Sequence, residues 1–216
     1  MTSLVDSALE RLNLRLPLAA RLAALPPELV RVHRAILRSL YDTGSPPAPD
    51  QIAAMLSTFT LERALDRLDA DDLAVLSPDR TRVLGAYPMT SEPTPHLVET
   101  GDRAVHAMCA VDALAISPMF GGAVAIRSRC RITKTPVTIR QQGCQILSAE
   151  PAGVLVGVRW EHTTRGHAAH SLCMEMVYLR DEAAAREWHH GDTENHTVLP
   201  LGDAVELGAR FFTPLV

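Results

Sequence analysis

The fold is decided by the stretch AVAIRSRCRITKTPVTIRQQGCQILSAEP, residues 123–151. Apolar and polar side chains alternate in its first segment, and the next two segments are short runs bounded by Gly and Pro. Every second residue of a strand lies on the same face, and Gly and Pro commonly bound strands. The stretch therefore predicts the strands AVAIRSRC, PVTIRQQG and QILSAEP, and GVLVGVRW (153–160) predicts a fourth.

The residues that follow predict a strand in SLCMEMVYL (171–179) and helices in DEAAAREWHH (181–190) and LPLGDAVELGARFF (199–212). Strands followed by separate helices are typical of an α+β protein with a mostly antiparallel sheet flanked by helices. The polar, proline-containing segment SEPTPHLVETGDR (91–103) is interpreted as the connection into this part. We therefore predict an α+β catalytic domain over residues 91–216.

The N-terminal part predicts helices followed by a hairpin. Helical spacing covers 4–16, 27–43, 49–56 and 60–70, and LAVLS and TRVLGAY flank a turn at 78–80. This order is that of a winged helix-turn-helix, which predicts a winged-helix-like helical domain over residues 1–90.

The charge of this part argues against DNA binding. The segment TLERALDRLDADDL (60–73) carries five acidic and two basic side chains, and the whole chain has a net charge of -4. Binding to nucleic acid needs cations opposite the phosphates. We therefore interpret the N-terminal part as a packing module and expect no nucleic-acid partner.

The N-terminus lacks a basic start followed by an apolar run, and no apolar stretch is long enough for a bilayer. We expect a cytoplasmic protein without a membrane partner. The four cysteines, at 109, 130, 144 and 173, form no CxxC pair and are expected to be free thiols.

The stretch HAMCAVDAL (106–114) contains the first candidate site residues. We predict a buried helix over 104–116 that ends at Ser117-Pro118 and aligns His106, Cys109 and Asp112 on one stripe. Burial disfavours an ionised carboxylate, so Asp112 is predicted to have a raised pKa. The alternative is a structural acid that caps a loop beside a small core cysteine.

Cys173 lies in the predicted strand 171–179, on a face that it shares with Ser171 and Glu175. The preceding loop contains His162, His167 and His170. Their spacing is a weak metal-site signal, so we interpret these histidines as solvated loop residues.

Four separated segments resemble one protein family. HAMCAVDALAISPMFGGAVAIRSRC, ILSAEPAGVLV, SLCMEMVYLRDEAAAREW and PLGDAVELGARFF are similar to the organomercurial lyases (alkylmercury lyases) of bacterial mercury resistance. The family pattern has a Cys-Ala-x-Asp helix, a second Cys and a third Cys in a strand. Cys109, Asp112, Cys130 and Cys173 fall on those positions, and the resemblance extends over about residues 85–216.

The resemblance implies an enzyme that cleaves a carbon–mercury bond by protonolysis, giving a hydrocarbon and mercury(II). It implies that Cys109 and Cys173 are the thiolates, that Asp112 is the acid–base group, and that all three bind mercury as substrate or product. Thiolates are the protein ligands that soft metals prefer, and apolar surroundings suit both a hydrocarbon and a protonated Asp. The implied partners are an organomercurial substrate, small thiols and a mercuric reductase, and no cofactor is required.

The chain also departs from the family pattern. Met108 and Leu172 stand where the family usually has aromatic residues before the first and third cysteines, and Met174 stands where some members have a further Cys. Cys130 corresponds to a buried structural cysteine, and Cys144 is interpreted as a bystander in a strand. The alternative functions are a winged-helix thiol sensor for metals or electrophiles and a non-catalytic soft-metal-binding protein.

Overall fold

The computed structural model describes residues 3–160 and 167–216. Within these residues the chain forms eight α-helices. They are α1 (Leu4–Arg15), α2 (Leu18–Ala23), α3 (Pro27–Thr43), α4 (Pro49–Ala54), α5 (Leu61–Ala70), α6 (Ala110–Phe120), α7 (Glu182–His189) and α8 (Leu201–Phe212). None of these helices combines the length and the hydropathy needed to cross a lipid bilayer.

The strands of the described residues form two sheets. They are β1 (Val75–Leu76), β2 (Val83–Ala86), β3 (Met89–Thr90), β4 (His96–Thr100), β5 (Arg103–Ala107), β6 (Ala123–Arg129), β7 (Pro136–Gln142), β8 (Gln145–Glu150), β9 (Leu155–Arg159), β10 (Met176–Leu179) and β11 (His196–Pro200). The larger sheet has the order β1-β2-β3-β5-β4-β6-β7-β8, and the smaller has the order β10-β9-β11. All pairs are antiparallel, so the predicted α+β class is confirmed.

The four predicted strands 123–160 are present as β6 to β9. Burial alternates along β6 and β7, as the sequence pattern predicts. Ile126 of β6 pairs with Ile139 of β7, and both side chains lie in the core. Alternation therefore determines the register of this part of the sheet, because a slip of one residue would expose every apolar side chain.

Helix α3 illustrates how the N-terminal part is built. Its apolar residues at helical spacing are fully buried, namely Leu29, Val32, Ile36, Leu37 and Leu40. Pro27 starts the helix and Gly44 ends it in the left-handed conformation, with φ of 74°. A side chain at Gly44 would also collide with the carbonyl oxygen of Ala104 in β5, 2.7 Å from the Cβ position. Only glycine fits this contact between helix and sheet.

The order α3, α4, α5, β1, β2 is the one predicted for residues 27–87. The β1–β2 hairpin does not stand alone, because β2 pairs with β3 and β3 pairs with β5 in the eight-stranded sheet. The winged-helix interpretation and the division near residue 90 stay predictions.

The segment 91–103, predicted as a connection, contains β4 and the start of β5. Strand β4 pairs with both β5 and β6, which places it inside the large sheet. The prediction was wrong because only residues 91–95 have the prolines and polar residues of a loop. In HLVET (96–100) His96 and Val98 are buried, as in a strand.

The predicted helix 104–116 was wrong at both ends. Residues 103–107 form β5, the helix α6 spans Ala110–Phe120, and Pro118 lies inside it. A proline has no N–H to bond the carbonyl oxygen four residues earlier, which belongs to Leu114. The side-chain amide Nε2 of Gln141 in β7 donates a hydrogen bond to that oxygen at 2.8 Å, so the buried carbonyl group still has a partner.

Helix α6 crosses the core and is buried on almost all sides. It packs against α8 at Gly208, where a Cβ would lie 3.0 Å from the carbonyl oxygen of Val111 and 3.3 Å from Cβ of Ala115. Small residues at this crossing let the two backbones approach closely. The N-terminus of α6 is thereby held deep in the protein, beside β10.

Candidate active site

Cys109 lies at the start of α6. It has extended backbone geometry, with φ of -152°, and its sulfur accepts a hydrogen bond from the backbone N–H of Asp112 at 3.3 Å. The cysteine is therefore the N-cap residue of the helix, and its sulfur satisfies one of the free N–H groups of the first turn. Both side chains are almost completely buried.

His106 does not join this pair, although the sequence predicted a shared helical stripe. It lies on β5, and its Nδ1 accepts a hydrogen bond from the backbone N–H of Thr94 at 3.2 Å. The stripe was wrong because the helix begins at Ala110, after His106.

Cys173 was predicted in a strand but lies in the 3₁₀ turn Leu172–Glu175, which follows a first 3₁₀ turn, Ala168–His170. Strand β10 begins only at Met176, so the face shared with Ser171 and Glu175 does not exist. The turn directs Cys173 towards α6. One ligand atom each of Cys109, Asp112 and Cys173 lies within 4.8 Å of the other two.

Two contacts hold β10 against the start of α6. The Cys109 sulfur lies 3.5 Å from the sulfur of Met176, and the hydroxyl of Tyr178 donates to the carbonyl oxygen of Ala110 at 3.0 Å. Tyr178 is fully buried. These contacts hold β10, which directly follows the turn of Cys173, against the helix that begins after Cys109.

Burial dominates the electrostatics of the three residues. Neither carboxyl oxygen of Asp112 has a hydrogen-bond partner among the described residues. Its burial raises the pKa of Asp112 to about 7, against a smaller opposing effect of the two neighbouring thiols. The burial of Asp112 therefore supports the prediction that its pKa is raised.

The pKa values of the two thiols are also shifted. Burial raises the pKa of Cys109 to about 11, and the pKa of Cys173 is raised well above its usual value by its interaction with Cys109 and by burial. A helix N-terminus alone would lower a thiol pKa. Desolvation outweighs that effect here, so both sulfurs carry protons at neutral pH.

A cavity of about 290 Å³ opens onto this cluster. Cys173 and Met176 line it, whereas Cys109 and Asp112 do not. The walls are mainly apolar and include the thioethers of Met108, Met174 and Met176. The cavity can therefore hold a small apolar group against Cys173, the member of the cluster that lines it.

The remaining predicted residues lie elsewhere. Cys130 is buried in a small apolar cluster that includes Trp188, and its sulfur accepts a hydrogen bond from the backbone N–H of Arg180 at 3.4 Å, as expected for a packing residue. Cys144 is exposed and lies in the turn between β7 and β8, so its assignment to a strand was wrong.

The histidines differ from the predicted solvated loop. His170 lines the cavity. His167 is partly buried between two aspartates, and His162 lies outside the described residues. Of the described His, Cys, Asp and Glu residues, only Cys109, Asp112 and Cys173 form a group with metal-ligand geometry.

Comparison with known proteins agrees with the motifs. Residues 89–213, more than half of the chain, match the family model described as MerB, alkylmercury lyase. The chain belongs to the alkylmercury lyase family. This membership confirms the family that the sequence motifs predicted and places the chain among enzymes.

Two curated alkylmercury lyases are similar to the chain. The one from Staphylococcus epidermidis is 28% identical over 177 residues, which cover 81% of this chain and 78% of that relative. The one from Streptomyces lividans is 29% identical over 133 residues, which cover 60% of this chain and 59% of that relative.

A solved structure has the same fold. The crystal structure of the mercury-bound form of MerB2 matches with a TM-score of 0.78 and 22% identity, over 92% of this chain and 97% of that chain. The alkylmercury lyase fold therefore includes most of the N-terminal residues as well as the region of the family model.

Sequence reasoning missed the residues that support the cluster. Met176 and Tyr178, which contact the start of α6, are predicted only as strand residues, and Asp72, which contacts His167, only as one of several acidic side chains. The alternation in RAVHA (103–107) was a signal for β5 that the apolar residues after it concealed. No local signal indicates the contacts of Asp72, because its partners are distant in the sequence.

Proposed function

We propose that this protein is an organomercurial lyase that cleaves carbon–mercury bonds by protonolysis. The observation that carries the proposal is the buried cluster of two thiols and one unpaired carboxyl group, with ligand atoms within 4.8 Å of one another. Cys109 and Cys173 bind the mercury of the substrate, and Asp112 moves the proton. Membership of the alkylmercury lyase family supports this assignment.

The first step is capture of the substrate, which arrives as an organomercury–thiolate complex. Cys173, at the cavity wall, forms a sulfur–mercury bond and passes its proton to the departing small thiolate. Cys109 forms the second sulfur–mercury bond, and its proton goes to the carboxylate of Asp112. Metal binding thus drives the deprotonation of thiols whose pKa values are high in the free enzyme.

The second step breaks the carbon–mercury bond. Two thiolates increase the electron density on mercury and on its carbon, and the carbon takes the proton from Asp112. The hydrocarbon leaves, the electron pair of the broken bond remains in the new C–H bond, and mercury(II) stays on the two sulfurs. A pKa of about 7 suits Asp112 for both proton transfers at neutral pH.

The cavity supports a small organic group on the mercury. Its walls combine apolar side chains and thioethers, so the hydrocarbon part of the substrate is desolvated there. Mercury(II) then leaves by exchange with small thiols or with the cysteines of a mercuric reductase, the acceptors that the family resemblance implies.

Release of hydrocarbon tests the proposal. The purified protein is incubated with phenylmercury and an excess of a small thiol, and benzene is measured by gas chromatography. We expect many equivalents of benzene per protein. Stoichiometric capture of phenylmercury without benzene would instead identify a sensor or a scavenging protein.

A further inference from the structure

The segment that carries Cys173 is tied to the N-terminal part by His167. The ring Nδ1 of His167 lies 2.8 Å from Oδ1 of Asp72, and Nε2 lies 2.9 Å from Oδ1 of Asp69. Asp69 belongs to the last turn of α5, and Asp72 follows that helix. An imidazole with a carboxylate at each nitrogen donates from both nitrogens when it is protonated.

Backbone groups of the same segment join this contact. The N–H of Ala168 donates to Oδ2 of Asp72 at 3.1 Å, and the N–H of Ala169 donates to the hydroxyl of Tyr87 at 2.6 Å. The Tyr87 hydroxyl in turn donates to Oδ1 of Asp72 at 2.9 Å. We call Asp69, Asp72, Tyr87 and His167 the aspartate clamp.

Charge interactions stabilise the clamp. The hydrogen bond to Asp72 and the charges of both aspartates raise the pKa of His167, against its partial burial. Arg21 lies 3.9 Å from Asp72, and Arg80 lies 2.9 Å from Asp69, so each carboxylate also has a cation as a neighbour.

On its C-terminal side Cys173 is followed by β10, whose contacts with Cys109 and Ala110 begin at Met176. Cys173 itself lies in the second of two consecutive 3₁₀ turns, which have few internal hydrogen bonds and no regular partner strand. The clamp anchors the first of these turns, and the hydroxyl of Ser171 donates to the carbonyl oxygen of His167 at 3.1 Å. The position of the Cys173 sulfur therefore depends on both anchors.

We propose that His167 is a positioning residue, and that the aspartate clamp fixes the Cys173 sulfur within reach of Cys109 and Asp112. The proposal rests on the proposed function, because two-thiolate binding of one mercury atom needs a defined distance between the sulfurs. It also gives the acidic end of α5 a role, which is to hold a catalytic cysteine in place. Such a site loses rate steeply when a reacting group moves by about 1 Å.

The test compares His167→Gln and Asp69→Asn with the control Asp66→Asn. Asp66 lies on the same helix and shares Arg80 with Asp69, but it forms no hydrogen bond or ion pair with His167 among the described residues. Each variant is assayed for kcat and KM with phenylmercury. Without mercury, iodoacetamide labelling of each cysteine is followed by peptide mass spectrometry, and circular dichroism reports the fold.

We expect His167→Gln to lower kcat about tenfold or more, with KM changed less than about threefold, because the cavity that holds the organic group is kept. Cys173 should be alkylated about tenfold faster, whereas labelling of Cys109 stays at the wild-type rate. Asp69→Asn should also lower kcat and speed the alkylation of Cys173, each by a smaller factor. Asp66→Asn should match the wild type in both measurements.

Wild-type kcat and wild-type Cys173 labelling in His167→Gln would overturn the proposal. Faster labelling of Cys109 and Cys173 together would also overturn it, because that result indicates general loosening of the core. If the wild type releases no benzene, the proposed function fails, while the labelling of Cys173 still decides whether the clamp holds this cysteine.

Discussion

The sulfur of Cys109 accepts a hydrogen bond from the backbone N–H of Asp112 at 3.3 Å, so both side chains lie at the first turn of one helix. Their relative position is fixed by the helix itself. Cys173, in contrast, comes from a separate turn and is brought to the pair by tertiary contacts. The cluster thus combines one locally determined pair with one ligand whose position depends on the rest of the fold.

Replacing either proposed mercury ligand should abolish turnover. In Cys109→Ser and Cys173→Ser a hydroxyl replaces a soft thiolate, and a hydroxyl is a poor ligand for mercury. We expect benzene release from phenylmercury to fall to the rate of a protein-free solution in both variants.

The matched control is Cys144→Ser, since Cys144 is exposed in the turn between β7 and β8. It should keep the wild-type rate. Wild-type turnover in Cys109→Ser or Cys173→Ser would remove that residue from the mechanism.

Replacing the proposed acid should separate capture from cleavage. Asp112→Asn has nearly the same shape but cannot accept or donate the transferred proton. We expect kcat to fall by about 10²- to 10⁴-fold, while one equivalent of phenylmercury remains bound to the protein. Rapid filtration measures the bound mercury, and gas chromatography measures the benzene.

The pH dependence of the wild type adds a signature of Asp112. In the free enzyme the carboxylate must be ionised to accept the proton of Cys109, so kcat/KM should rise with pH through about 7. This inflection should be absent from the residual activity of Asp112→Asn. An unchanged inflection in that variant would assign it to another group.

The same carboxyl group should make the stability of the fold pH-dependent. Burial raises the pKa of Asp112 from 3.8 to about 7, so the folded state binds this proton more tightly than the unfolded state. The contribution to stability is complete below about pH 4 and is lost as pH rises through about 7. Its size is on the order of 4 kcal/mol, because each unit of pKa corresponds to about 1.4 kcal/mol.

Urea unfolding of the wild type and of Asp112→Asn at pH 5 and pH 8 checks this contribution. The wild type should lose stability relative to the variant over that interval. A constant difference between the two proteins would show that Asp112 does not titrate in this range in the folded state.

The sequence predicted well what depends on local periodicity. Strands β6 to β9 followed from alternation or from short runs bounded by Gly and Pro, and α3 followed from apolar residues at helical spacing between Pro27 and Gly44. Prediction failed where one apolar run contains two elements. Residues 103–120 hold a strand, a capping cysteine and a helix, and hydrophobic periodicity alone does not divide a buried strand from a buried helix.

The site was predictable only in part for a related reason. Cys109, Asp112 and Cys173 were identified from family motifs, whereas their approach depends on tertiary contacts such as Met176 with Cys109. The clamp joins His167 to Asp72 across 95 residues, and no pattern in either segment indicates the other. Long-range partners of this kind become visible only when the chain is folded.

The close crossing of α6 and α8 gives a prediction about the scaffold of the site. In Gly208→Ala the new methyl group would lie 3.0 Å from the carbonyl oxygen of Val111 and 3.3 Å from Cβ of Ala115. Both helices would have to move apart, which typically costs about 1–3 kcal/mol. We expect a lower free energy of unfolding in urea and a reduced kcat, because α6 carries Cys109 and Asp112 at its N-terminus.

The control is Gly202→Ala in the same helix, where a Cβ would meet no atom within 4 Å. This change also replaces glycine by a better helix former, so its stability should equal or exceed that of the wild type by about 0.5 kcal/mol. Comparing the two variants separates the helix propensity of alanine from the steric contact with α6. Equal stability of Gly208→Ala and Gly202→Ala would mean that the crossing tolerates a methyl group, and that α6 is not held in place by close contact at Gly208.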